Sequence, residues 1–308
     1  MSSASAPGKI ILFGEHAVVY GQPALAAPVT QVRAEVRIEG TAEPGVWIDA
    51  ADIQLHTRLD TLPAAHPIAA TIHNTLKMLM SPLPSSVSIV IRSTIPVASG
   101  MGSGAAVSVA LIRALAAYAD IALSDEDVSA LAYQTEIIHH GTPSGIDNTV
   151  VTYVKPVFFL KGNPLTTIKV GQPFTIVIGD TGVAASTRES VRGVRAGWEA
   201  DRAHYEGLFS AIGSIVRTAR QSLEAGTPDH LGPLMDENHA LLQEMGVSSP
   251  ELDRLVVGAR ASGALGAKLS GGGRGGNMIA LVPAGKATAV AKSLLVAGAR
   301  NTITTEIA

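Results

Sequence analysis

The chain has 308 residues, a formal charge of −3 at neutral pH and no cysteine. That length suits one large or two ordinary domains with real cores, and two is the expectation. The charge, with no run of lysine or arginine, excludes nucleic acid as the main partner, because phosphate-backbone binding needs a basic surface; the missing cysteines exclude disulfides, zinc-thiolate sites and a cysteine nucleophile.

Alanine, valine, isoleucine and glycine are prominent and aromatics few, the make-up of a well-packed α/β enzyme. The opening MSSASAPGKIILFGEHAVVYG has no basic n-region, and its apolar patch at 10–13 is too short for a signal peptide, so a cytoplasmic location is expected. Strand-type runs follow at 9–13, 29–38 and 46–48, punctuated by Gly21, Gly40 and Gly45. Pro67 then opens a helix whose buried face is Ile68, Ile72, Leu76 and Leu79, with Pro82 and Pro84 past its end. Alternation of Val87, Ile89 and Ile91 with polar neighbours predicts a strand that runs into PVASGMGSGAA.

The apolar run at 105–123 is interrupted by Arg113 and Asp120 and falls short of the ~20 clean residues of a membrane span, so it reads as a buried helix with no membrane partner. Ser124, with Asp127 three residues on, predicts an N-cap, and Val128, Leu131, Thr135 and Ile138 line the helix that stops at Gly141. A short strand at 157–160 precedes the polar, Gly- and Pro-rich stretch 161–173, which sets the expected domains at 1–168 and 169–308. Beyond it come a strand at 174–178, helices through 189–246 and 250–261, then strand, glycine loop, strand, helix and a last strand at 302–307. There are no repeats or heptads.

Four constellations could carry chemistry. Glycines before the helix that begins near Gly104 let the backbone approach a ligand, and the unpaired N–H groups and partial positive charge of the helix start suit a phosphate; the alternative is a structural turn. The loop is neither a Walker A nor a G-x-G-x-x-G fingerprint. KLSGGGRGG at 268–276 has more glycine than a hairpin requires, which reads as phosphate contact or as a flexible loop tip. Lys9, Glu15 and His16 stand among apolar residues and glycines, where charges need partners or a task, unless they are solvated at a strand end. In EIIHHGTPSGIDNTV, Glu136 opposes the dipole of its own helix and Asp147 follows Pro143 and Gly145; both read as surface residues, or as a metal-holding carboxylate and a positioned acid. His139 and His140 are adjacent, share no helix face and are taken as structural.

In their order, APGKIILFGEHAVVYG, IPVASGMGSGAA and KLSGGGRGG resemble the three signature motifs of the GHMP small-molecule kinases, over nearly the whole chain. GEHAVVYG with HGTPSGIDN resembles the mevalonate-phosphorylating branch. The resemblance implies an α+β fold of two domains, an N-terminal one of the ribosomal S5 domain 2-like type and a C-terminal ferredoxin-like one, with ATP in the cleft between them. It implies ATP and Mg2+ as cofactors and mevalonate as the small-molecule partner, and leaves a homodimer open. By motif position it implies Asp147 as the catalytic aspartate and Lys9 as its paired lysine. Glu136 would bind magnesium, while Ser93, Ala98, Ser99, Gly100, Met101, Gly102, Ser103, Gly104, Gly272 and Gly273 would contact the nucleotide. Glu15, His16 and Thr187 would line the substrate pocket with Asp147.

Two departures from the family pattern stand out. The usual G-L-G-S-S is here Gly100, Met101, Gly102, Ser103, Gly104, so the second serine is missing and Ser103 or water is left to complete the magnesium shell. The third motif has Gly272, Arg274 and Asn277 where Ala, Gly and Cys are frequent, and Arg274 either adds a phosphate contact or sits in solvent. The rival readings are a related kinase for phosphomevalonate or a sugar, an ATP-dependent decarboxylase, which would not be expected to keep Lys9 with Asp147, and a non-catalytic sensor, which would be expected to lose them.

Overall fold

The computed structural model describes the whole chain except residues 84, 97, 98, 141–143, 165 and 185, and describes 139 and 140 by backbone alone. Two compact units are interleaved in sequence, one made of 1–8, 32–97 and 102–154, the other of 9–31, 98–101 and 155–308. They are not the contiguous stretches 1–168 and 169–308: the first two strands each pass from one unit to the other along their length, and 98–101 goes with the second unit.

The first unit contains parts of β1 (Ser2–Phe13) and β2 (Ala24–Gly40), then β3 (Gly45–Ala50), β4 (Leu55–Arg58), α1 (Pro67–Leu79), β5 (Ser86–Ser93), α2 (Ser103–Tyr118), α3 (Asp125–His140) and α4 (Ile146–Tyr153). β2 pairs antiparallel with β5, setting Val36 opposite Ile91; β5 pairs parallel with β3, setting Ile89 opposite Ile48; and β4 edges the sheet beside β3. These four side chains and Ile38 and Val87 are buried, and their polar neighbours in sequence face away, the pattern of a sheet covered on one side. The helices pack on one another, with α2 against β5. The alanine-rich α2 is buried around most of its circumference, which marks it as the central helix. It stops at Tyr118, short of the predicted reach to 123, and Asp120 beyond it has a positive φ of 56°.

The predicted cap of α3 is in place. The Ser124 hydroxyl accepts from the Asp127 N–H at 3.1 Å and donates to its carboxylate at 2.6 Å. α4 is an element that the sequence reading lacks. Gly145, at φ 89°, turns the chain into it and places Asp147 in its first turn. Valine and threonine are modest helix formers, and burial of Ile146, Thr149, Val150 and Val151 supplies what propensity does not.

In the second unit β6 (Val157–Phe159) pairs with residues 24–26 of β2, and β7 (Thr166–Thr167) pairs with β6. Then follow β8 (Phe174–Asp180), α5 (Thr187–Ala200), α6 (Arg202–Glu224), α7 (Leu231–Glu244), α8 (Pro250–Ala261), β9 (Gly266–Ser270), β10 (Asn277–Val282), α9 (Ala287–Val296) and β11 (Asn301–Ile307). The antiparallel order β11-β8-β10-β9 is the fourth, first, third and second strand in sequence, as expected of a ferredoxin-like sheet. α8 packs on β9 and β10, and α9 on β8 and β11. The helices read through 189–246 are α5, α6 and α7. Asp201 caps the start of α6 by accepting from the His204 N–H at 3.1 Å, and Gly226, at φ 72°, followed by Pro228 ends it. No described helix is long and apolar enough to cross a membrane.

Candidate active site

In the first unit the chain turns into α2 through Gly102, whose φ of 71° suits glycine and whose carbonyl accepts from the Ala106 N–H at 2.9 Å. Ser103 and Gly104 are the first two residues of the helix, where backbone N–H groups are unpaired and the dipole is positive. Glu136, only 4% exposed in the last turn of α3, comes to this end: a Cβ built on Gly104 would lie 3.6 Å from its Oε1. The conflict between Glu136 and its own helix is thereby answered by the N-terminus of another. Gly104 is helical, so the missing family serine is a loss of a hydroxyl facing this carboxylate and not a demand for unusual backbone.

Ser93 lies at the end of β5 with its groups engaged locally. Its N–H donates to Asp52 Oδ2 at 2.6 Å and its Oγ accepts from the Ile95 N–H at 3.2 Å. Ala98 falls outside the described residues.

In the second unit Ser99, Gly100 and Met101 form the front of the glycine loop. The Met101 carbonyl accepts from the Lys9 N–H at 3.0 Å, and the Asn277 side-chain amide donates to the Ser99 carbonyl at 2.6 Å. Asn277, noted in the sequence as a departure from the family, is therefore what ties this loop to β10. Gly100 has φ 76° and nothing within 4 Å of a built Cβ, so its backbone can be approached from solvent. Within the first unit, the amides at the start of α2 suit a phosphate, and Ser103 and Glu136 offer oxygen donors of the kind a hard divalent cation takes. Among the described residues no three His, Asp or Glu side chains cluster as a self-sufficient metal site, and magnesium characteristically needs only one or two carboxylates beside phosphate oxygens.

Lys9, 5% exposed, lies within the buried stretch 6–13 of β1. In the turn after β1, Glu15 and His16 are both buried. Glu15 Oε1 accepts from the ammonium of Lys268, a fully buried residue of β9 that also donates to the Leu269 carbonyl at 2.6 Å. Burial pulls the Lys268 ammonium below its ordinary range, and Glu15 opposes that shift. His16 Nε2 lies 3.1 Å from the Gly272 carbonyl, which can only accept, so Nε2 carries the proton. Burial lowers the His16 pKa to about 4, with the charges of Arg274 and Lys268 adding to the effect against the Gly272 hydrogen bond. The ring is neutral at pH 7. Thr187, exposed at the start of α5, adjoins Gly272, whose built Cβ would lie 3.2 Å from its Oγ1. In the sequence Lys268 is no more than the first letter of a glycine motif; what distinguishes it in the structure is a lysine at 0% exposure inside a strand buried along its whole length.

The third-motif glycines are used partly for packing. A Cβ on Gly273 would lie 1.9 Å from the Val247 carbonyl oxygen, and one on Gly275 2.6 Å from that of Val183. Arg274, at φ 59°, lies along α5 with its guanidinium over Gly193, where a Cβ would come within 2.6 Å of it. It rests on a helix that has made room for it.

The sequence profile of the GHMP kinases N terminal domain matches residues 68–155, and that of the GHMP kinases C terminal region matches 219–297. The mevalonate kinase of Pyrococcus abyssi is 36% identical over 98% of this chain and 94% of its own length. The chain belongs to the mevalonate kinase family. The mevalonate kinase of Thermococcus sibiricus is 37% identical, covering 98% of this chain and 95% of that one. Among solved structures, the L. major mevalonate kinase in complex with R-mevalonate superposes with a TM-score of 0.87 at 30% identity, over 100% of this chain and 96% of that one. As a member of the mevalonate kinase family this protein is a kinase with the two-domain GHMP fold.

Proposed function

We propose that the chain transfers the γ-phosphoryl group of ATP to the 5-hydroxyl of (R)-mevalonate, with Mg2+, to give 5-phosphomevalonate and ADP for isoprenoid precursor synthesis. The observation that carries this reading is the near-full-length likeness to mevalonate kinases, including one whose structure holds R-mevalonate. Phosphoryl transfer needs alignment, charge neutralisation and a place for the nucleophile's proton. When bound, magnesium neutralises charge on the phosphates; Glu136 and Ser103 are the residues that would hold it. The amides at the start of α2 and the glycine loop seat phosphate oxygens. Lys9 offsets negative charge growing on the transferred group. Asp147 orients the hydroxyl and takes its proton. Glu15, His16 and Thr187 hold the acceptor.

Two measurements test the reading. ADP release is scored with mevalonate, phosphomevalonate, galactose and homoserine, and mevalonate alone should support rapid turnover. Asp147→Asn should lower turnover by ~10²- to 10⁴-fold while the melting temperature stays within a few degrees. Activity within a few-fold of wild type would remove Asp147 from its role.

A further inference from the structure

Lys268 has no part in the reaction as just described, yet it is the most deeply buried cation of the second unit. At 0% exposure it sits in β9 between Ala267 and Leu269, where an apolar side chain would avoid the desolvation of two charges. Its partner, Glu15, is 253 residues away in the chain. The carboxyl group is used on one side only: Oε1 takes the lysine, while Oε2 is buried with no hydrogen-bond partner among the described residues. A carboxylate accepts at both oxygens, and a buried acceptor left unmade is costly, so a pair kept for stability would have its second oxygen satisfied. Next to it, His16 donates through Nε2 to Gly272 and so presents Nδ1 as an acceptor. Two adjacent residues thus offer acceptors, and the Lys268 contact decides which way the first of them points.

We propose that Lys268 is a positioning residue of the acceptor-substrate site: by engaging Oε1 of Glu15 it leaves Oε2 as the oxygen that accepts a hydrogen bond from a hydroxyl of the substrate. The proposal rests on the mevalonate reading. Lys268 itself does not touch substrate, so every effect of removing it passes through Glu15.

The test compares wild type with Glu15→Gln, Lys268→Met and the double variant. KM for mevalonate and for ATP, kcat, and the rise in melting temperature on adding mevalonate without nucleotide are measured for each. A hydrogen bond to a charged group contributes enough to change affinity about 10-fold or more, so Glu15→Gln and Lys268→Met should each raise the mevalonate KM by about that factor and shrink the mevalonate-induced rise, leaving the ATP KM within about 2-fold. Because the lysine acts only through the carboxylate, the double variant should match Glu15→Gln within about 2-fold. The double variant also keeps the buried pair neutral, so the comparison stands even if Lys268→Met alone leaves Glu15 unpaired and does not fold. A double variant with wild-type mevalonate affinity would make the pair purely structural, and effects that multiply would make Lys268 a direct contact; either overturns the proposal. If wild type neither turns over mevalonate nor gains melting temperature from it, the mevalonate reading fails and the proposal falls with it, whereas the variant ratios sink the proposal alone.

Discussion

Gly273→Ala separates the two uses of the third glycine motif. Gly273 has φ 74°, and its built Cβ would lie 1.9 Å from the Val247 carbonyl oxygen and 2.9 Å from its carbon. That same oxygen accepts from the Arg274 N–H at 2.8 Å, so it cannot retreat without giving up a hydrogen bond. The left-handed backbone costs alanine about 1–2 kcal/mol, and losing or stretching the buried hydrogen bond costs about 1–3 more. The sum, about 2–5 kcal/mol, corresponds to a fall in melting temperature of roughly 5–20 °C for units of this size. Gly271→Ala is the control: its φ is 86° but nothing lies within 4 Å of the built Cβ, so it should lose only the conformational part. Thermal melts of the two variants without nucleotide, with ATP KM measured in parallel, give the comparison. Should Gly273→Ala melt beside Gly271→Ala while only its ATP KM rises, the packing account is wrong and the glycine serves the nucleotide.

Glu136→Gln should raise the magnesium concentration for half-maximal rate several-fold with little change in melting temperature, and an unchanged magnesium titration would return Glu136 to a structural role. Gly104→Ser should be tolerated or mildly stabilising, by a few tenths of a kcal/mol, because the position is helical and its built Cβ clears Glu136 Oε1 at 3.6 Å. With a hydroxyl restored beside that carboxylate the magnesium requirement should fall; a lower melting temperature would show that the space is not there. His239, buried against Asp253 at 3.2 Å and accepting from the Leu269 N–H at 3.3 Å, has its pKa lowered to about 4 by burial, with Lys268 and Arg260 adding and Asp253 opposing. Between that value and ~6.5 the unfolded chain binds more protons than the folded one, so stability is full above pH ~6.5 and is lost as pH falls toward 4, by on the order of 3 kcal/mol. His239→Gln should flatten the dependence of melting temperature on pH between 6.5 and 5, and an unaltered slope would refute it.

The sequence by itself determined whatever depends on neighbours along the chain. The apolar spacing of α1, the Ser124 cap, the glycine loop opening α2 and the succession of strands along the second unit were all legible there, because helix period, strand alternation, capping and turn chemistry act over a few residues. The three motifs, in order, also named the family. α4 was not legible, since its valines and threonines form a helix only where tertiary contacts bury them. Nor was the interleaving of the units, in which the first two strands each pass from one to the other. The partners of the charged residues were equally hidden: Glu15 meets Lys268, and Ser99 meets Asn277, across separations of 253 and 178 residues. Gly273 looks like any loop glycine until the Val247 carbonyl is seen against it. Such contacts are set by where folding brings distant segments, and no local propensity encodes them.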